Sequence, residues 1–165
     1  MMRTPSRTAV ILWLAMLVAA CSSTPRGNHY VLTSSGAGTP SGDSPALGIG
    51  PIEIPEYLKR NGLVYNREGS RLHISQTERW AEPLDSGIAR VVTINLATLL
   101  DTQDVRPFPW HPERPPAFGV QIRIVTLNAN DQEAELVAEW LVYRAESGLP
   151  LQRRISRLDR PMPAG

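Results

Sequence analysis

Cysteine is almost absent from this chain of 165 residues: Cys21 stands alone. That excludes an internal disulfide and any metal site built from several thiolates. Histidine is scarce too, and His29, His73 and His111 stand far apart with no second ligand at metal-binding spacing, so no metal is expected. Ser22, Ser23, Ser34 and Ser35 lie in stretches without a nucleophile-elbow pattern. Glu53 and Glu56 flank Pro55, and Glu82 precedes Pro83. Acids beside prolines suit turn caps and helix starts better than a general acid–base pair. No enzyme signature results. Neither sign of charge dominates, with 17 basic against 16 acidic residues, and no basic stripe points to nucleic acid. The longest apolar run, Ala9 to Ala20, is about a dozen residues, whereas a bilayer-spanning helix takes about twenty.

What the N-terminal segment does have is a positive head, Arg3 and Arg7, ahead of that short apolar run and two small residues. This is the pattern of a cleavable export signal over residues 1–20. Val18-Ala19-Ala20-Cys21 resembles the bacterial lipobox, in which an aliphatic and two small residues precede a cysteine. A thiol can be alkylated by diacylglycerol, and small residues let a peptidase approach the backbone before it. Cys21 is therefore the expected lipid-attachment residue, carrying a diacylglycerol and an N-acyl chain and no other cofactor. Several chains together anchor far more firmly than one. Ser22 follows, where an aspartate would act as an inner-membrane retention signal, so the expected address is the outer membrane, facing the periplasm. Loss of Arg3 and Arg7 leaves 15 basic and 16 acidic residues, a formal charge of −1.

Residues 21–29 are small and polar and read as a lipidated tether. Tyr30-Val31-Leu32-Thr33 and Ala46 to Ile54 read as strands, and Leu63-Val64-Tyr65 with Arg71-Leu72-His73-Ile74 as a hairpin about a tight turn. Leu84, Ile88, Val92, Leu96 and Leu99 recur at helical spacing. Pro83 suits the first position, and a helix from Pro83 to Leu100 would be roughly 27 Å long. Five of the fifteen prolines fall between Asp101 and Pro116, a stretch expected to be irregular. Val120, Ile122 and Ile124, then Ala134, Leu136, Ala138, Trp140 and Val142, alternate with polar residues as two half-buried antiparallel strands, and Leu151 to Leu158 returns as a more basic edge. The fold expected is α+β: an antiparallel sheet with one long amphipathic helix packed on one face.

Five strings carry a resemblance. They are Tyr30-Val31-Leu32-Thr33; Ile49-Gly50-Pro51-Ile52-Glu53-Ile54-Pro55-Glu56-Tyr57-Leu58; Arg79-Trp80-Ala81-Glu82-Pro83-Leu84; Phe108-Pro109-Trp110; and Ala134-Glu135-Leu136 through Trp140. In this order the chain resembles the ABC-type transport auxiliary lipoproteins, with the family's domain over residues 30–158. The resemblance implies a non-enzymatic role at the outer membrane, beside an MCE-type (mammalian cell entry) protein of an intermembrane lipid transport system, with homo-oligomers among the possible assemblies. The competing expectation is a structural outer-membrane lipoprotein without a transport partner. Relatives end with a further helix, which the Pro-rich tail 159–165 cannot form. Trp80, Glu82 and Trp110 are the candidate partner-binding residues, tryptophan being enriched in hot spots; for the tryptophans, a place in the core is the competing expectation.

Overall fold

A computed structural model describes residues 27–36, 38–68, 70–130 and 132–162. In chain order its strands are β1 (Asn28–Tyr30), β2 (Leu47–Glu53), β3 (Gly62–Glu68), β4 (Arg71–Trp80), β5 (Val105–Pro107), β6 (Phe118–Ala129), β7 (Glu133–Arg144) and β8 (Pro150–Pro161). One turn of 3-10 helix lies at Glu56–Leu58, and the α-helix α1 spans Leu84–Leu99. Cys21 and the expected signal segment lie outside the described residues.

The alternation in the last third of the chain does form the longest strands. β6, β7 and β8 are joined by short turns and pair antiparallel, with Ile122 opposite Trp140 and Leu136 opposite Leu158. The expectation of a purely antiparallel sheet is corrected. The five-stranded sheet runs β5-β2-β6-β7-β8, and β2 lies parallel to both β5 and β6. A separate three-stranded sheet, β1-β4-β3, has β1 parallel to β4. The cause is connectivity: β2 leaves the sheet through the 3-10 turn and the β3–β4 hairpin, and the chain re-enters beside it only after α1. Crossovers of that length allow parallel neighbours, whereas tight turns impose antiparallel ones.

Several boundaries moved. β1 takes Asn28 and His29 out of the expected tether and ends at Tyr30, whose carbonyl accepts from Ala81 N just past the end of β4. Val105–Pro107, inside the proline-rich stretch, makes a short edge strand bracketed by Leu47 N donating to Asp104 O and Phe108 N donating to Ile49 O. Pro107 is its last residue, where a missing N–H costs the ladder least. Pro83 is the N-cap, one place before the helix. Leu99 is 77 % exposed, while Leu100, one residue on, turns toward the sheet.

The core forms where α1 starts. Ile54, Leu58, Leu84 and Ile124 are buried together, with Leu32, Tyr57, Val64, Trp80 and Ile88 packed against them. Tyr57 fastens the 3-10 turn to β6, its hydroxyl accepting from Leu127 N at 3.2 Å. From this end α1 runs across β2 and β5 and leaves the same face of β6, β7 and β8 uncovered.

Candidate functional site

A sheet strand places alternate side chains on opposite faces, so the two faces of the five-stranded sheet can be read residue by residue. On the helix side, Ile122 and Ile124 of β6 stand beside Leu136, Ala138 and Trp140 of β7. Ile88, Val92 and Leu96 of α1, with Leu100 just past its end, form one wall above them, and Leu158 of β8, 59 % exposed, forms the other. Between wall and floor lies an open groove of about 770 Å³. No ionisable side chain lines it. Its two polar residues are engaged: Asn95 Oδ1 accepts from Ser35 N and Gly36 N, and Ser156 Oγ accepts from Trp140 Nε1 at 3.0 Å. Such a surface offers mainly apolar contact.

The other face is charged and flat. Glu53, Arg123, Glu139 and Arg153 form a ladder across β2, β6, β7 and β8: Arg123 donates to Glu53 at 3.0 Å, and Arg153 pairs with Glu139. Arg157 reaches Glu135 at 3.2 Å. These pairs face solvent and contribute little to stability each. Toward the β2–β6 end the face is kept thin by Gly48 and Gly119, which are neighbours in the parallel register. A Cβ on Gly48 would lie 2.5 Å from the Trp110 ring, and one on Gly119 would lie 2.3 Å from the Tyr143 ring. Burial there pushes the Tyr143 hydroxyl pKa up.

The three expected partner-binding residues are therefore divided. Trp80 packs against the core at the end of β4. Glu82 sits beside it in sequence and forms an ion pair with Arg90 of α1, and Arg90 also donates to Leu32 O at 2.9 Å. The Glu82 contact, between two side chains, raises the Arg90 pKa, and the Leu32 contact ties α1 to the segment after β1. Trp110 lies on the opposite face of the sheet, over Gly48, edge-on to Phe108 with ring centroids 5.4 Å apart. Around it Arg106, Pro109, His111 and Arg114 border a shallow hollow. Trp140, assigned to the core side of its strand from its phase alone, does lie on that side but lines the groove. The residues that line the groove carry the same alternation as a covered strand, and only the missing cover distinguishes them.

Among the described residues, no group of three His, Cys, Asp or Glu could hold a metal ion. No helix among them is long and apolar enough to cross a membrane.

The family model for the ABC-type transport auxiliary lipoprotein component matches residues 30–165. The chain belongs to that family. This auxiliary lipoprotein is similar to the intermembrane transport lipoprotein PqiC of Escherichia coli (strain K12) and of Shigella flexneri, 32% identical to each over 97 residues. That alignment covers 56% of this chain and 50% of each relative, so the auxiliary lipoprotein matches about half the length of those curated relatives. Its fold matches a crystal structure of a Xanthomonas campestris protein with a TM-score of 0.70 at 11% identity, covering 84% of this chain and 81% of that one. A crystal structure of an uncharacterised protein matches with a TM-score of 0.67 at 20% identity, over 83% and 81% of the two chains. At those identities the likeness concerns the fold alone.

Proposed function

We propose that the protein is a non-enzymatic, lipid-anchored subunit of an intermembrane lipid transport system, held at the outer membrane through Cys21 and docking an MCE-type partner from the periplasmic side. The observation that carries this reading is the family match, which takes in nearly all of the described fold and begins a few residues after a lipobox-like string. The name of the PqiC relatives supplies the intermembrane transport role. The groove fits a binding role, since its lining is almost wholly apolar and carries no ionisable side chain. For the docking surface we favour the loop around Trp110, where an aromatic ring and Arg106 and Arg114 stand together, residue types that dominate binding hot spots.

The test is Cys21→Ser in the producing cell. The expected outcome is release of a folded protein from the membrane fraction and loss of barrier function, read as sensitivity to detergent. A soluble, folded Cys21→Ser protein that still protects the cell would sink the anchoring role. Cross-linking in whole cells with a C-terminal tag should recover an MCE protein, with recovery reduced by Arg106→Ala and Arg114→Ala together. Recovery of outer-membrane components alone, in a cell that has an MCE protein, would favour a structural lipoprotein instead.

A further inference from the structure

We propose that the groove between α1 and β8 is a binding site for one acyl chain of an anionic phospholipid, with the head group on the β8 rim. The lipid's source rests on the membrane-anchored reading above; the binding itself does not.

Size comes first. A volume of about 770 Å³ falls within the roughly 300–1,000 Å³ of small-molecule sites, which are mostly apolar with a few placed polar groups. From Val142 to Leu136 the floor runs about 20 Å along β7. One acyl chain reaches about 15 Å, half of a bilayer's hydrocarbon core of roughly 30 Å. The floor therefore takes an extended chain. Inside, Asn95 and Ser156 already serve internal hydrogen bonds, so the groove rewards an apolar occupant and gives no strong hold to a polar one.

Charge then selects the head. The arginines of β8 are sorted by face. Arg153 and Arg157, facing away from the groove, pair with Glu139 and Glu135. Arg154 and Arg160 fall in step with Ser156 and Leu158 on the groove side, opposite Trp140 and Ala134. Both are exposed, and neither has a carboxylate partner among the described residues. Uncompensated cations along one rim of an apolar slot complement a ligand with a long tail and one anionic end. A zwitterionic or neutral head leaves that charge unanswered.

Trp140 on the floor makes the site visible. The mature chain carrying Cys21→Ser, exported and purified without detergent, would be titrated with a lysophosphatidylglycerol whose acyl chain bears bromine, a quencher of tryptophan fluorescence. Saturable quenching is expected, and Trp140→Phe should remove it, since Trp80 packs in the core and Trp110 lies across the sheet. Arg154→Gln with Arg160→Gln, two exposed changes that leave the packing alone, should weaken binding by about fivefold. The matching lysophosphatidylcholine should bind the unaltered protein more weakly and be insensitive to the arginine changes. Absence of quenching overturns the proposal, as does quenching that survives Trp140→Phe. Equal affinity for the two heads overturns the assignment of the rim. If lipid fails to bind while the protein self-associates with groove residues protected from exchange, a second copy covers the face and the proposal is wrong. Retained anchoring and partner recovery alongside failed lipid binding would leave the proposed function standing without this site.

Discussion

Two single positions show how closely the sheet's flat face is fitted. Gly119 has no room for a methyl group, because Tyr143 lies over it. Gly119→Ala should cost about 1–3 kcal/mol by overpacking, read from the midpoint of urea unfolding. Tyr143→Leu in the same chain should recover part of that loss, the signature of two residues in contact; strictly additive costs would disprove the contact. Asp101 works differently. It follows the helix with φ 48°, and its carboxylate accepts from Ser41 N at 2.7 Å. The backbone N–H groups of Ser41 and Gly42 hold its pKa below the ordinary range. A depressed carboxylate contributes stability above its unfolded pKa of about 3.9, and that contribution is lost as pH falls through the lower folded value. Asp101→Asn keeps a residue that tolerates this backbone. The variant should be less stable at neutral pH and lose less stability on acidification below about pH 4. Identical acid limbs for the two proteins would rule out this role.

At the scale of elements, β4 carries the widest break in its pairing, and the break is repaired. Gly62 pairs with Arg79 but Val64 with Ile74, so the stretch around Ser75 to Glu78 bulges out of the ladder. Ser75 is buried, and its hydroxyl takes up the freed backbone donors, accepting from Thr77 N at 3.3 Å and Glu78 N at 2.9 Å. Ser75→Ala would strand those donors and should cost about 1–3 kcal/mol, with an unchanged denaturant slope. The elements differ in how far the sequence revealed them. Val120 to Ile124 and Ala134 to Val142 declared β6 and β7, since a strict period of two over that length has few other readings. The spacing Leu84-Ile88-Val92-Leu96 declared α1 within a residue at each end. β5 stayed hidden because three residues among prolines carry no periodicity; β2 recruits them through its own free edge. Parallel pairing was hidden as well, since alternation marks a strand's faces and not its neighbours. Of the candidate residues, Glu82 and Trp80 share one end of the helix as their sequence neighbourhood implied, and Trp110 was separated from them by the sheet.

For the molecule as a whole, stability is unevenly distributed. Ile54, Leu58, Leu84 and Ile124 concentrate the core at the start of α1, while β1 and β5 are edge strands of three residues. Amide exchange should be slowest along β6 and the facing half of β7, and fastest in β1 and β5. Slow exchange throughout β5 would mean that its edge is covered in solution. Salt should matter little to the fold, because the charged ladder on the flat face is exposed and its pairs are screened.

The position of β2 also sets an order of events. This interior strand joins β5 and β6 by pairing Leu47 with Val105 and with Phe118, partners more than fifty residues later in the chain. The β6–β7–β8 meander needs only short closures and is the quicker part to form. In a chain delivered N-terminus first, β2 emerges early and waits for the rest. Gly48, Gly50 and Pro51 within it suit a strand that must wait, since glycine and proline pair weakly with chance partners. Gly48, which keeps the finished sheet thin, also helps to keep β2 uncommitted until the right neighbour arrives.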